Sequence, residues 1–119
     1  MKTASAKMQN ARISTKHSVV ITQEIRGKGL AAAKRFLENL IDQKISLKRK
    51  YHTTAAKEIL GVLESAESNA KQKGLTEEKL FVKKIKADQG FRFTRPRSRW
   101  NLRGRKVKST ILTVELGER

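Results

Sequence analysis

Residues 80–116 read LFVKKIKADQGFRFTRPRSRWNLRGRKVKSTILTVEL, and the fold turns on how this stretch is divided. Its two ends alternate like strands. Over Leu80–Ala87, Phe81, Ile85 and Ala87 fall on one face together with Lys83, while Lys84 and Lys86 fall on the other. Over Thr110–Leu116, Thr110, Leu112, Val114 and Leu116 share a face, and β-branched Ile111 and Thr113 share the opposite one. Between them, residues 90–109 hold six arginines, two lysines and no acid, interleaved with Phe91, Phe93, Trp100 and the single proline, Pro96. The simplest topology makes the two strands antiparallel neighbours joined by a very long hairpin, at about residues 88–110. Connections beyond roughly 12–15 residues are uncommon in compact domains and are usually functional or disordered. A ribbon with about nine residues in each arm reaches roughly 30 Å from the sheet. It has little apolar surface to bury, so a surrounding partner that accepts many cations must order it.

Working outward, residues 8–13 (MQNARI) have strand character, and Ser14 and Thr15 follow as candidate N-caps. Val20, Ile21 and Ile25 recur at helical spacing over Lys16–Arg26, and Gly27 and Gly29 end that helix. A second helix spans about Leu30–Gln43, with Ala33, Phe36, Leu37, Leu40 and Ile41 as its apolar stripe. Residues 44–52 (KISLKRKYH) form a basic connection without clear periodicity. The longest helix covers about Thr53–Lys73, with Ala55, Ile59, Val62, Leu63, Ala66 and Ala70 on one face and Gly74 as its stop. No internal repeat or linker divides the 119 residues, so one domain over 1–119 is expected.

Composition narrows the partner. Hydrophobic residues make up 37% and charged residues 33%, with a net charge of +17. That balance calls for a small core and an ionic surface. The charge is segmental: residues 1–53 carry +9, 54–82 carry −1, 83–108 carry +10 and 109–119 carry −1. The neutral segments read as scaffold and the basic ones as contact surface. Nucleic acid is the first candidate, because each cation at a phosphate releases condensed counterions. RNA suits an arginine-rich finger with aromatics, since guanidinium groups pair with phosphate and both groups stack on unpaired bases. An anionic membrane is the second candidate, although the strongest basic segment is not helical. There are no cysteines, which excludes disulfides and thiolate metal sites. No apolar run approaches a membrane span. The basic, Ser/Thr-rich start has the composition of a transit peptide, but a strand and a helix start begin inside it.

Three stretches together resemble one family. NARISTKHSVVITQEIRGKGLAAAKRFLENL (10–40) is similar to the N-terminal half of large-subunit ribosomal protein twenty-two. AAKEILGVLESAESNAKQKGLTEEKLFVKKIKADQG (55–90) resembles its long helix and first hairpin strand. RPRSR, GRKVKST and ILTVELGE resemble its arginine-rich hairpin and final strand. The basic insert ISLKRKYHTTAAKE looks closer to archaeal than to bacterial members. The resemblance implies an α+β fold: a three-stranded antiparallel sheet packed on three helices, with a long protruding basic β-hairpin. It implies a structural constituent of the large ribosomal subunit that binds large-subunit ribosomal RNA, supports its assembly, neighbours other large-subunit proteins and resides on cytoplasmic ribosomes. It further implies a hairpin tip in the wall of the peptide exit tunnel, facing the nascent peptide. Carried over, Arg92, Arg95, Arg97, Arg99, Arg103, Arg105, Lys106 and Lys108 are hairpin contacts to RNA, and Arg12, Lys16 and His17 are contacts around the first helix. Five further basic residues of the charged segments, Arg26, Lys28, Lys83, Lys84 and Lys86, complete the RNA-binding candidates. Trp100, Asn101 and Leu102 are the tunnel-tip candidates. They stand where the family's tip is rich in small residues, and Gly90-Phe91 stands where it often has Gly-Pro.

Enzymatic chemistry finds little support. The only aspartates are Asp42 and Asp88, and the only histidines are His17 and His52. His17 reads as a phosphate contact or a solvated residue, and His52 as an exposed loop residue; neither has a second ligand at zinc spacing. Glu64 and Glu67 read as a solvated helix face. RGKG at 26–29 lacks P-loop spacing and reads as a helix stop with two positive charges. No cofactor, metal, membrane or small-molecule substrate is expected, and no dimer seam is visible. The alternative from another class is a basic, nucleoid-type DNA-binding protein, since basic ribbons also enter DNA grooves.

Overall fold

The structure, a computed structural model, describes residues 2–94 and 106–118, with the backbone alone at 93, 94, 106 and 107. Strand β1 (Thr3–Ala11) is followed by helices α1 (Thr15–Ile25), α2 (Leu30–Ile41) and α3 (Thr53–Gln72). A 3₁₀ turn (Glu77–Lys79) leads into β2 (Leu80–Gln89); β3 (Phe93–Thr94), β4 (Lys106–Val107) and β5 (Thr110–Glu118) complete the order. The main sheet has the order β1-β5-β2 and is antiparallel throughout. β3 pairs with β4 as a separate two-stranded ribbon, the start of the expected hairpin. The fold class expected from the resemblance is thus the one observed.

One face of the sheet holds the core. Leu112, Val114 and Leu116 of β5, Val82 and Ile85 of β2 and Ala4 of β1 meet Ile21, Ile25, Leu37, Leu40, Ile59 and Leu63 from the three helices, all essentially inaccessible. Each such large aliphatic side chain contributes roughly 1.5–3 kcal/mol. Ala55, Ala56, Ala66 and Ala70 are buried too, and their short side chains let α3 approach its neighbours closely.

Two strands depart from the sequence reading. β1 begins at Thr3 rather than near residue 8, because small Ala4 and Ala6 alternate with Ser5 and Lys7 and supply a core face that a search for bulky residues overlooks. In β2 the alternation breaks. Val82 and Ile85 are both buried although three residues apart, and the pairing with β5 shifts between Val82 and Lys84. A bulge of this kind inserts one residue and turns the strand. It sends Lys83 to the open side of the sheet, where its Nζ lies 3.6 Å from Glu115, instead of onto a face with Ile85. Beside the bulge the α1–α2 turn docks on β2: Gly27 N–H donates to Val82 O at 2.9 Å, and Val82 N–H donates to Lys28 O at 2.8 Å. Gly27 holds φ +81°, which favours glycine.

The other edge of the sheet is tied to α3. Asn69 Nδ2 donates to Ser5 O (2.8 Å) and Lys73 Nζ to Thr3 O (3.0 Å), covering carbonyls that an edge strand leaves open. The buried Glu67 of α3 pairs with Lys34 of α2 and lies 3.6 Å from Lys71. Its carboxyl is held below the usual carboxylate value by the Glu77 side chain and by Lys34, against the opposing effect of burial. Glu67 is therefore a link in the core rather than the solvated face expected from the sequence.

Candidate nucleic-acid interface

The hairpin leaves the sheet through a clamp of small and hydroxylic residues. Gly90 N–H donates to Ser109 O at 2.9 Å, and Ser109 Oγ donates to Phe91 O. A Cβ on Gly90 would stand 2.7 Å from Ser109 Oγ and 3.2 Å from the Ser109 carbonyl, so this close approach favours glycine. Next in the chain, buried Thr110 donates its hydroxyl to Ile13 O at 2.8 Å. That proton is then committed, so the 2.8 Å contact between Thr15 and Thr110 has Thr15 as its donor. The base of the hairpin and the start of α1 are thereby fixed to each other.

At that junction Ser14 caps α1, accepting from His17 N–H at 3.4 Å, while Ser18 Oγ donates to Ser14 O at 2.8 Å. The start of α3 lies alongside. Its cap residue His52 is left-handed (φ 50°, ψ 39°), and no acid occupies the first turn of either helix. Two positive helix ends therefore meet without a neutralising carboxylate. The 44–52 connection is ordered by a two-residue turn in which Leu47 and Lys50 exchange both backbone hydrogen bonds at 2.9 Å. Lys48 and Arg49 hold φ of 47° and 66° there, a turn that glycine or asparagine would fill more cheaply.

His52 Nε2 lies 3.1 Å from Leu47 O. A carbonyl only accepts, so Nε2 carries a proton, and the buried Nδ1 has no partner among the described residues. The ring is seated against His17, with centroids 4.6 Å apart and planes at 58°. Around this pair runs a cleft of about 580 Å³ lined by Arg12, Ser14, His17, His52, Thr53 and Lys108 among others. A neighbouring groove of about 470 Å³ shares both histidines and adds Lys16, Lys48 and Lys50. The His17 imidazole is held below its ordinary pKa, first by burial, then by the charges of His52, Lys50 and Lys16.

The structure gathers Arg12, Lys16, His17 and Lys108 at this end, and Arg92 is exposed just beyond the Gly90–Ser109 clamp. Other candidate residues lie elsewhere and are partly engaged. Arg26 donates through Nη2 to Ile85 O at 3.0 Å, and Lys28 Nζ stands 4.6 Å from the Phe36 ring centroid. Lys83 pairs with Glu115, and Lys86 with Asp88 at 3.5 Å; Lys84 is exposed beside them. Arg95, Arg97, Arg99, Arg103, Arg105 and the tip candidates Trp100, Asn101 and Leu102 lie outside the described residues, and Lys106 is described by its backbone only. The sequence reading missed His52, Lys48 and Lys50. His52 is only partly accessible and is packed on His17, rather than a simply exposed loop residue. The KRK run was its one sequence signal.

Among the described residues, no group of three or more His, Asp or Glu side chains is placed to hold a metal ion, and no helix is long and apolar enough to cross a membrane. Compared with known families, the chain matches the one described as "Ribosomal protein L22p/L17e" over residues 6–116. It is similar to curated proteins described as "Large ribosomal subunit protein uL22". The one from Methanococcus aeolicus is 37% identical, with 79% of this chain and 74% of the relative covered. That from Methanopyrus kandleri is 36% identical, with 75% and 69% covered. That from Methanocaldococcus jannaschii is 34% identical, with 79% and 72% covered.

Proposed function

The chain belongs to the ribosomal protein L22p/L17e family, and from that premise we propose how it serves the large ribosomal subunit. As a member it is a non-enzymatic structural constituent of that subunit and binds ribosomal RNA within it. The finer reading is that the cationic end is the anchoring surface. Arg12, Lys16 and His17 engage RNA phosphates at the start of α1, and Lys108 with Arg92, Arg95, Arg97, Arg99, Arg103, Arg105 and Lys106 carries the contact along the hairpin. The observation behind this reading is the meeting of Arg12, Lys16 and Lys108 beside two helix starts, among lining residues that include no carboxylate. Arg26, Lys28, Lys83, Lys84 and Lys86 form a secondary RNA surface, weaker because most already have a partner within the protein.

By family resemblance the hairpin extends to the wall of the peptide exit tunnel, with Trp100, Asn101 and Leu102 beside the nascent peptide and neighbouring large-subunit proteins close by. By the same resemblance, binding to the ribosomal RNA supports subunit assembly. Photo-crosslinkers placed at residues 95–103 of tagged protein test this. The expected products are large-subunit RNA and nascent chains in purified subunits. Crosslinks confined to the outer surface of the subunit would overturn the tunnel placement.

A further inference from the structure

Resting on the RNA-binding reading, we propose that the cleft between the starts of α1 and α3 is a proton-linked phosphodiester seat, in which His17 takes up a proton as the phosphate enters. Three independent features converge there. Arg12 and Lys108 approach the cleft from separate segments, the β1–α1 connection and the hairpin base, so the cations are assembled by the fold. The hydroxylic residues Ser14 and Thr53 line the same space, where they can donate to phosphate oxygens. His17 packs on a second imidazole whose position is fixed by the Leu47 carbonyl, so the ring is held in place before any ligand arrives.

Among the described residues that line the cleft and groove with His17, every charged or imidazole group is basic: Lys16 on its own helix, His52 at the start of α3, Lys48 and Lys50 in the connection before it, Arg12 ahead of α1 and Lys108 at the hairpin base. Burial first, and then the charges of His52, Lys50 and Lys16, hold the ring's pKa below its ordinary value in the free protein. A phosphodiester inverts the balance. Its negative charge favours imidazolium, and a charged donor bonds a phosphate oxygen more strongly than a neutral one. Bound His17 therefore has the higher pKa, the complex takes up a fraction of a proton on forming, and affinity rises as pH falls towards 6.

The test uses the full chain and dimethyl phosphate, a phosphodiester that does not itself titrate in this range. His17 is followed by its imidazole NMR resonances, assigned with His52→Gln. The seat predicts that near-saturating dimethyl phosphate raises the His17 midpoint by about half a unit or more, against chloride at equal ionic strength, and that Arg12→Gln with Lys108→Gln removes the rise. With purified large-subunit ribosomal RNA, wild-type affinity improves about three- to tenfold more than that of His17→Gln between pH 8 and 6. An unmoved His17 midpoint, with identical pH dependence of RNA binding in wild type and His17→Gln, overturns the seat. A raised midpoint in a protein that fails to bind ribosomal RNA at any pH would support the seat and overturn the RNA reading instead.

Discussion

The segment 54–82 and the segment 83–108 are almost equal in length yet differ by eleven charges, −1 against +10. The first supplies α3, whose Ile59, Val62 and Leu63 are nearly inaccessible, and it pairs its buried Glu67 with Lys34. The second gives the core little more than Ile85 before it leaves the sheet at Gly90. The contrast separates two tasks. Folding is carried by apolar burial, to which the nearly neutral segment contributes heavily, while affinity for a polyanion is carried by cations held at one end, outside that core. Charge that would burden the core through self-repulsion is tolerable where a partner neutralises it.

The division can be broken from the scaffold side, and the largest effect is expected there. Leu63→Ala removes a fully buried side chain and should cost about 2–5 kcal/mol in denaturant unfolding, with RNA affinity per folded molecule unchanged. Thr110→Val tests the joint between the two regions. It leaves Ile13 O and the Thr15 hydroxyl without their partner, so a loss of about 1–3 kcal/mol is expected, together with weakened RNA binding as the hairpin base loosens from α1.

A smaller effect comes from the Glu67 link. Its carboxyl has a depressed pKa in the folded state, so its contribution is fully present above the unfolded value of 4.5 and is lost as pH falls through the folded one. Wild type should lose stability below about pH 4.5 more steeply than Glu67→Gln. Lys34→Met should cost about 1 kcal/mol at neutral pH, since Lys34 is partly exposed and Lys71 remains near the carboxylate. Parallel acid curves for wild type and Glu67→Gln would show that the pair does not hold the helices together.

How far the fold was legible follows the same line. α1, α2 and α3 were readable to within a residue or two because long apolar stripes and glycine stops report burial directly. β5 was readable because its alternation is strict from Thr110 to Leu116. β1 and the inner face of β2 were not. Ala4 and Ala6 bury little area and leave a weak trace, and the bulge at Lys83 breaks the period that a strand reading depends on. The candidate site was half legible. Arg12, Lys16, His17 and Lys108 are basic residues in basic segments, but nothing in a linear pattern joins residues 12, 52 and 108. That meeting is made by the Thr110 hydroxyl, the Leu47–Lys50 turn and left-handed His52, all of which are tertiary or conformational.

The most direct test of this separation is the salt dependence of binding to purified large-subunit ribosomal RNA. Wild type is compared with Arg12→Gln/Lys16→Gln/Lys108→Gln and with a scaffold control, Lys57→Gln/Lys79→Gln. The separation predicts that the triple variant unfolds within about 0.5 kcal/mol of wild type. Its slope of log affinity against log salt should be shallower by about 2–3, and the control slope should be unchanged. Equal slopes for wild type and the triple variant, or equal flattening in the control, would contradict it.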